Sequence, residues 1–161
     1  MTVVYIGLGS NIDNPTAHIS TAFIEIGQIP NSKLKRQSSL YRSSPMGNID
    51  QPEFINAVVE LDTELSAITL LGHMHTIEEK HGRVRTQHWG PRSLDLDLLL
   101  YGDHHIENRK LTVPHPGIND RNFVLCPLLE IVPEIVIPGS GSAKKILENI
   151  GINGLEKLNR E

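Results

Sequence analysis

Ser93-Leu94-Asp95-Leu96-Asp97-Leu98-Leu99-Leu100-Tyr101 alternates apolar and acidic residues over most of its length. A period of two is the mark of a strand with one face in a core. Leu94, Leu96, Leu98 and Leu100 take that face, while Asp95 and Asp97 share the other, ~6.6 Å apart along the strand. The leucines set the register, because a slip of one residue would bury both acids. Two like charges on a half-buried face repel and call for a cation, either an arginine or a metal. Their hard oxygens suit magnesium, which keeps several waters and is commonly completed by phosphates.

Just upstream, residues 80–92 carry Lys80, Arg83, Arg85 and Arg92 and no acid, although the whole chain has 15 Lys and Arg against 19 Asp and Glu, a net charge of -4. No global field draws this protein to nucleic acid or to an anionic membrane, so an anion site must be local. Arginine forks match phosphate oxygens two at a time. Placed on a glycine-flanked loop beside two carboxylates of metal-ligand type, they point to a polyphosphate site with nucleotide phosphates as the guest. A purely structural network, with Asp95 and Asp97 paired to these arginines, is the competing reading on spacing alone.

Outward from that strand, 161 residues with 39% hydrophobic and 21% charged composition describe one folded domain spanning 1–161. The single cysteine, Cys126, lies among apolar neighbours and reads as an inert thiol. No apolar run approaches the ~18 residues of a membrane span, and a cytoplasmic protein is expected. Val3 to Ile6 form a first strand that ends in a Gly7-Leu8-Gly9-Ser10-Asn11 turn. That turn lacks the third glycine of a dinucleotide fingerprint, and no Walker-type Gly-Lys-Ser/Thr occurs. Asn14 is placed to cap a helix that begins at Pro15, shows Ile19, Ala22, Phe23 and Ile26 at helical spacing, and stops at Gly27.

Residues 34–42 and 54–61 read as two strands joined by a long loop, and Ser66 opens a second helix with Leu70, Leu71, Met74 and Ile77 on one face. On that helix Glu78 and Glu79 read as a solvated face. His73 and His75, two apart, do not form an i, i+4 metal pair. The order β-α-β-β-α-β, closed by the strand at 93–101, predicts an α+β protein: a ferredoxin-like antiparallel sheet with helices on one face. From Gly102 onward a C-terminal extension is expected, with a proline-rich segment, a short apolar piece and a final helix at 143–150.

Gly90-Pro91-Arg92-Ser93-Leu94-Asp95-Leu96-Asp97-Leu98-Leu99 also resembles the signature of the 6-hydroxymethyl-7,8-dihydropterin pyrophosphokinase family. The resemblance extends from Tyr5-Ile6-Gly7-Leu8-Gly9-Ser10-Asn11 through Asp50-Gln51-Pro52 and Leu111-Thr112-Val113-Pro114-His115 to Asp120-Arg121-Asn122-Phe123-Val124-Leu125. It implies an enzyme that moves the terminal two phosphates of ATP onto the hydroxymethyl group of the pterin, leaving AMP. It further implies Asp95 and Asp97 as ligands of two magnesium ions, and Arg83, Arg85 and Arg92 with Lys110, His115 and Arg121 as the phosphate-contacting set. Thr112 and Leu98 would line the ATP site and His75 would rim it. The pterin would lie between Phe54 and Phe123, hydrogen-bonded by Asn56, with Ser43, Ser44, Pro45 and Met46 from the first long loop. Trp89 would border the same pocket, as a lid residue or as a loop anchor. Ser44 and Pro116 stand where other members carry Pro and Tyr.

By this resemblance the partners are ATP and 6-hydroxymethyl-7,8-dihydropterin, with no nucleic acid or membrane involved and a monomer expected. Two other classes compete. A metal-dependent nucleotidyl transferase or phosphohydrolase would use Asp-x-Asp on a similar sheet. A ferredoxin-like RNA-binding module would need stacking aromatics and a basic sheet face, where this one places Asp95 and Asp97.

Overall fold

The computed structural model describes residues 1–44, 53–82 and 93–158. Its elements run β1 (Thr2–Ser10), α1 (Pro15–Gly27), β2 (Ser32–Gln37), β3 (Tyr41–Ser43), β4 (Phe54–Thr63), α2 (Ala67–Lys80) and β5 (Asp95–Tyr101). There follow β6 (Ile106–Glu107), β7 (Thr112–Val113), a 3-10 turn (Ile118–Asp120), α3 (Asn122–Ile131), β8 (Val136–Ile137), β9 (Gly141–Ser142), α4 (Ala143–Ile150) and β10 (Leu155–Lys157). The main sheet has the order β10-β3-β4-β1-β5, with β2 also on β4, and all its pairings are antiparallel. The α+β class with an antiparallel sheet is therefore as expected.

Both faces of the sheet are covered. Val4, Ile6 and Leu8 of β1 pack with Ile19, Phe23 and Ile26 of α1, Leu70, Met74 and Ile77 of α2, and Leu94, Leu96 and Leu98. The opposite face gathers Tyr5, Val58, Leu99 and Leu100 against Val124, Leu125, Leu128 and Ile131 of α3. The two helices anticipated between strands share one face, and the extension supplies the other layer. Its central piece, expected as a short apolar stretch, is a ten-residue helix with Pro127 inside it. Proline reads as a breaker because it has no N–H for the carbonyl four residues back. Here the buried leucines on either side outweigh that loss, each contributing ~1.5–3 kcal/mol on burial.

Four further expectations change. Leu100 leaves the leucine face: the β1–β5 register shifts between Tyr5 and Ile6, which pair with Leu100 and Leu98, so Leu99 is the extra residue of a bulge. Gly7 to Ser10 continue β1 instead of turning, paired with β4 on one side while Gly7 to Gly9 pair with β5 on the other. The stretch 34–42 is two strands, interrupted where Ser38 bonds Val58, its N–H donating to the Val58 carbonyl (2.9 Å) and its Oγ accepting from the Val58 N–H (3.0 Å). Asn14 precedes α1 in a left-handed conformation and makes no side-chain cap, whereas Ser66 caps α2 by accepting from the Thr69 N–H. No helix among the described residues is long and apolar enough to cross a membrane.

Candidate active site

Antiparallel register puts directly opposed residues on one face. Gly9 opposes Asn56 of β4 and Asp95 of β5, while Gly7 opposes Val58 and Asp97. Asn56, Gly9 and Asp95 thus form a row across three strands on the α3 side of the sheet, spanning ~10 Å. Phe54 lies two residues from Asn56 on the same face and opposes Ser43 of β3. Glycine at position 9 keeps the middle of the row open: a Cβ there would sit 3.6 Å from Asn56 Oδ1 and 3.9 Å from the Phe54 ring. The Asn56 amide nitrogen donates to Ser43 Oγ at 2.8 Å. Its carbonyl oxygen is therefore the atom on the Gly9 side.

Beside the Asp95 end of the row, Asp97 Oδ1 lies 3.8 Å from His115 Nε2, and Asp97 Oδ2 lies 4.0 Å from Arg121 Nη1. The bulge positions the histidine, whose N–H donates to the Leu99 carbonyl at 3.0 Å. The Gly117 N–H donates to His115 Nδ1 at 3.0 Å, so the neutral ring carries its hydrogen on Nε2, the nitrogen on the Asp97 side. Burial lowers the His115 pKa from 6.5, the nearby Arg121 charge lowers it further, and Asp95 opposes them. A neutral imidazole at pH 7 is an N–H donor. The Arg121 guanidinium also lies 5.8 Å from the centre of the Phe123 ring, within cation–π range.

On the outer side of β5 a cleft of about 330 Å³ is lined by His75, Asp95, Asp97, Leu98, Lys110, Thr112 and His115, among others. The anticipated nucleotide residues are thus brought together, with Arg121 reached through Asp97. Ser43, Phe54 and Asn56 assemble on the sheet face, Ser44 follows β3, and Phe123 lies in the first turn of α3. Arg83, Arg85, Trp89 and Arg92, like Pro45 and Met46, lie outside the described residues.

Glu78 is a correction. It is only 2% exposed, lines the cleft, and its Oε2 accepts from the Leu96 N–H at 2.9 Å, between the two aspartates. The signal was present in its spacing, since Leu70, Met74 and Glu78 recur every four residues and share one helix face. Arg109 also lines the cleft, unanticipated beside Lys110. Gly9, expected in a turn, lies inside β1, and its place in the row shows only once both neighbouring strands are in register. Cys126 is half-buried, and burial raises its thiol pKa, in keeping with an inert thiol.

Paired carboxylates beside a histidine, an arginine and a cleft lined by further cations are the residue set of an enzyme that transfers phosphate. Over residues 5–133 the chain matches the family model described as 7,8-dihydro-6-hydroxymethylpterin-pyrophosphokinase (HPPK), and it belongs to that family. It is 42% identical over 159 residues to 2-amino-4-hydroxy-6-hydroxymethyldihydropteridine pyrophosphokinase of Haemophilus influenzae, covering 99% of each chain. The enzyme of the same name from Pseudomonas aeruginosa is 40% identical over 155 residues, 96% of each. Among solved structures, Plasmodium falciparum HPPK-DHPS A437G with SDX-DHP superposes with a TM-score of 0.78 at 15% identity, over 97% of this chain and 48% of that one. This chain thus spans about half of that longer protein, and the likeness shows the fold.

Proposed function

We infer that this protein transfers the β,γ-diphosphate of ATP to the hydroxymethyl oxygen of 6-hydroxymethyl-7,8-dihydropterin, giving the pterin diphosphate and AMP in folate biosynthesis. The observation that carries this reading is the Asn56–Gly9–Asp95 row, which sets an amide oxygen and a strand position without a side chain beside a carboxylate and cation cluster in a member of this family. We read the sheet as ferredoxin-like, supported by the order β3-β4-β1-β5 with α1 and α2 on one face.

The ring binds over Gly9, where Asn56 Oδ1 accepts from its N–H groups and Phe54 and Phe123 supply stacking surface. Ser43 holds the Asn56 amide in the required sense, and Ser44, Pro45, Met46 and Trp89 border the pocket by family resemblance. ATP lies along the outer side of β5, against Leu98, His75 and Thr112, with Lys110, His115 Nε2–H and Arg121 on its phosphates. Arg83, Arg85 and Arg92 complete the phosphate-contacting set on the strength of the motif.

Asp95 and Asp97 fit magnesium, for which they offer hard oxygens on one strand face. Among the described residues no group of three or more His, Cys, Asp or Glu could hold a metal ion. The two aspartates would therefore share their ions, two in this reading, with water and the ATP phosphates. Magnesium, when bound, neutralises and aligns the phosphates. The chain's own residues orient the hydroxymethyl oxygen so that its bond to the β-phosphorus forms as the bond from that phosphorus to the AMP oxygen breaks, with the hydroxyl proton released to solvent. Positioning and charge stabilisation are most of what such a transfer requires. The reading carries with it a cytoplasmic monomer acting on two small molecules.

Calorimetry of ATP binding with and without magnesium tests the assignment. Wild-type protein should bind ATP with a strong magnesium dependence that Asp97→Ala largely abolishes, and the variant's turnover should fall roughly a thousandfold, ~4 kcal/mol of barrier. Melting should hold, because a half-exposed Asp97–Arg121 pair contributes at most ~1 kcal/mol. Near-normal turnover of Asp97→Ala would contradict the metal role, and a collapse in folding would favour the structural network.

A further inference from the structure

Three consecutive residues at the head of α3 lead in different directions. Arg121 reaches Asp97, Phe123 packs at the margin of the second core cluster, and Asn122 between them turns to another part of the chain. Its side-chain nitrogen donates to the carbonyls of Gly151 and Asn153, each at 3.1 Å. Those carbonyls belong to the segment that links α4 to β10. The same segment is held from its other side, where the Ser44 N–H donates to the Gly154 carbonyl at 3.2 Å. Immediately afterwards Leu155 pairs with Ser43, and β10 runs antiparallel to β3.

Residues 151–155 are therefore clasped between the head of α3 and the end of β3. These two places carry Phe123 on one side and Ser43 and Ser44 on the other. Gly154 has a left-handed backbone (φ +76°), and a Cβ there would sit 3.4 Å from Ser44 Oγ, so the segment passes close to the strand end. A single amide that satisfies two carbonyls restrains both position and direction, whereas a hydroxyl could donate to only one.

We propose that Asn122 is a positioning residue of the ring pocket, clasping the 151–155 segment so that the head of α3, with Phe123, is held in register with Ser43 and Asn56 of the sheet. This rests on the pterin reading of that pocket. Asn122 need not touch substrate. It lies next to Phe123, and the segment it grips continues into β10, which pairs with the strand whose Ser43 orients the Asn56 amide. The effect should therefore fall mainly on pterin binding and much less on ATP, because Arg121, although it adjoins Asn122, is only one of the cleft's donors, and Lys110 and His115 stand on segments apart from α3.

The test uses the full chain, with Asn122→Ala, Phe123→Ala and the double variant, and measures dissociation constants for the pterin and for ATP with magnesium, together with kcat. Asn122→Ala should weaken pterin binding roughly tenfold, leave ATP affinity within about twofold and reduce kcat little. In the Phe123→Ala background the same change should have much less effect, because coupled residues are not additive. Asn122→Gln, which keeps the amide donor on a stem one carbon longer, should fall between, and it serves if the alanine variant fails to fold. Equal weakening of both ligands, wild-type pterin affinity, or full additivity with Phe123→Ala would overturn the proposal. If Phe123→Ala itself leaves pterin affinity unchanged, the pterin reading of that residue falls with it. If Phe123→Ala weakens pterin binding and Asn122→Ala does not, only the proposal for Asn122 falls.

Discussion

His115 shows how much one side chain depends on neighbours distant in sequence. Its backbone N–H is bound by the bulged Leu99, its Nδ1 by the Gly117 N–H, and its Nε2 lies on the Asp97 side. Burial, reinforced by Arg121, holds its pKa below 6.5. A histidine depressed in the folded state binds fewer protons there than in the unfolded chain, so its contribution to stability is complete above about pH 6.5 and declines as pH falls. Replacing His115 by Gln should therefore flatten the loss of stability between about pH 7 and pH 5 in urea titrations, relative to wild type. An unchanged slope would show that the imidazole is not held neutral by the fold. At this scale the aspartates were legible, because alternation within one strand assigns their face. Gly9 was not, because its partners Asn56 and Asp95 come from two other strands.

Elements were legible where a local pattern decides them and obscure where tertiary contacts do. Both long helices follow their apolar periodicity, and Ser66 caps the second as its residue type suggests. The bulge at Leu99 has no local signature, because its cause is the offset of two strands, and it carries Leu100 to the α3 side. Glu78 joins α2 to β5 by accepting the Leu96 N–H, an outward-facing group of an edge strand. Glu78→Ala would leave that donor unsatisfied in a closed setting and should cost ~1–3 kcal/mol. Glu78→Gln keeps an acceptor of the same reach and should recover most of the loss, as read from denaturation midpoints. Equal destabilisation by both substitutions would show that charge, not the hydrogen bond, is what α2 contributes.

The molecule as a whole is a sheet with two differently used faces. One is filled by α1 and α2 and is nearly all aliphatic, and the other is filled by α3, with the Gly9, Asn56 and Asp95 row of the proposed site on that same face. The α+β class followed from the order of elements, but the second helical layer did not, because Pro127 disguises α3 as an interrupted apolar piece. Function was legible further than shape, since carboxylates, arginines and glycines in one motif state their chemistry without the tertiary structure. The most direct measurement follows the phosphorus atoms: ATP, magnesium, 6-hydroxymethyl-7,8-dihydropterin and the protein are incubated, and products are resolved by phosphorus NMR and chromatography. The account predicts AMP and pterin diphosphate in equal amounts, with both the β- and γ-phosphorus of ATP on the pterin. Release of free pyrophosphate or orthophosphate, or formation of a nucleotidylated pterin, would contradict it.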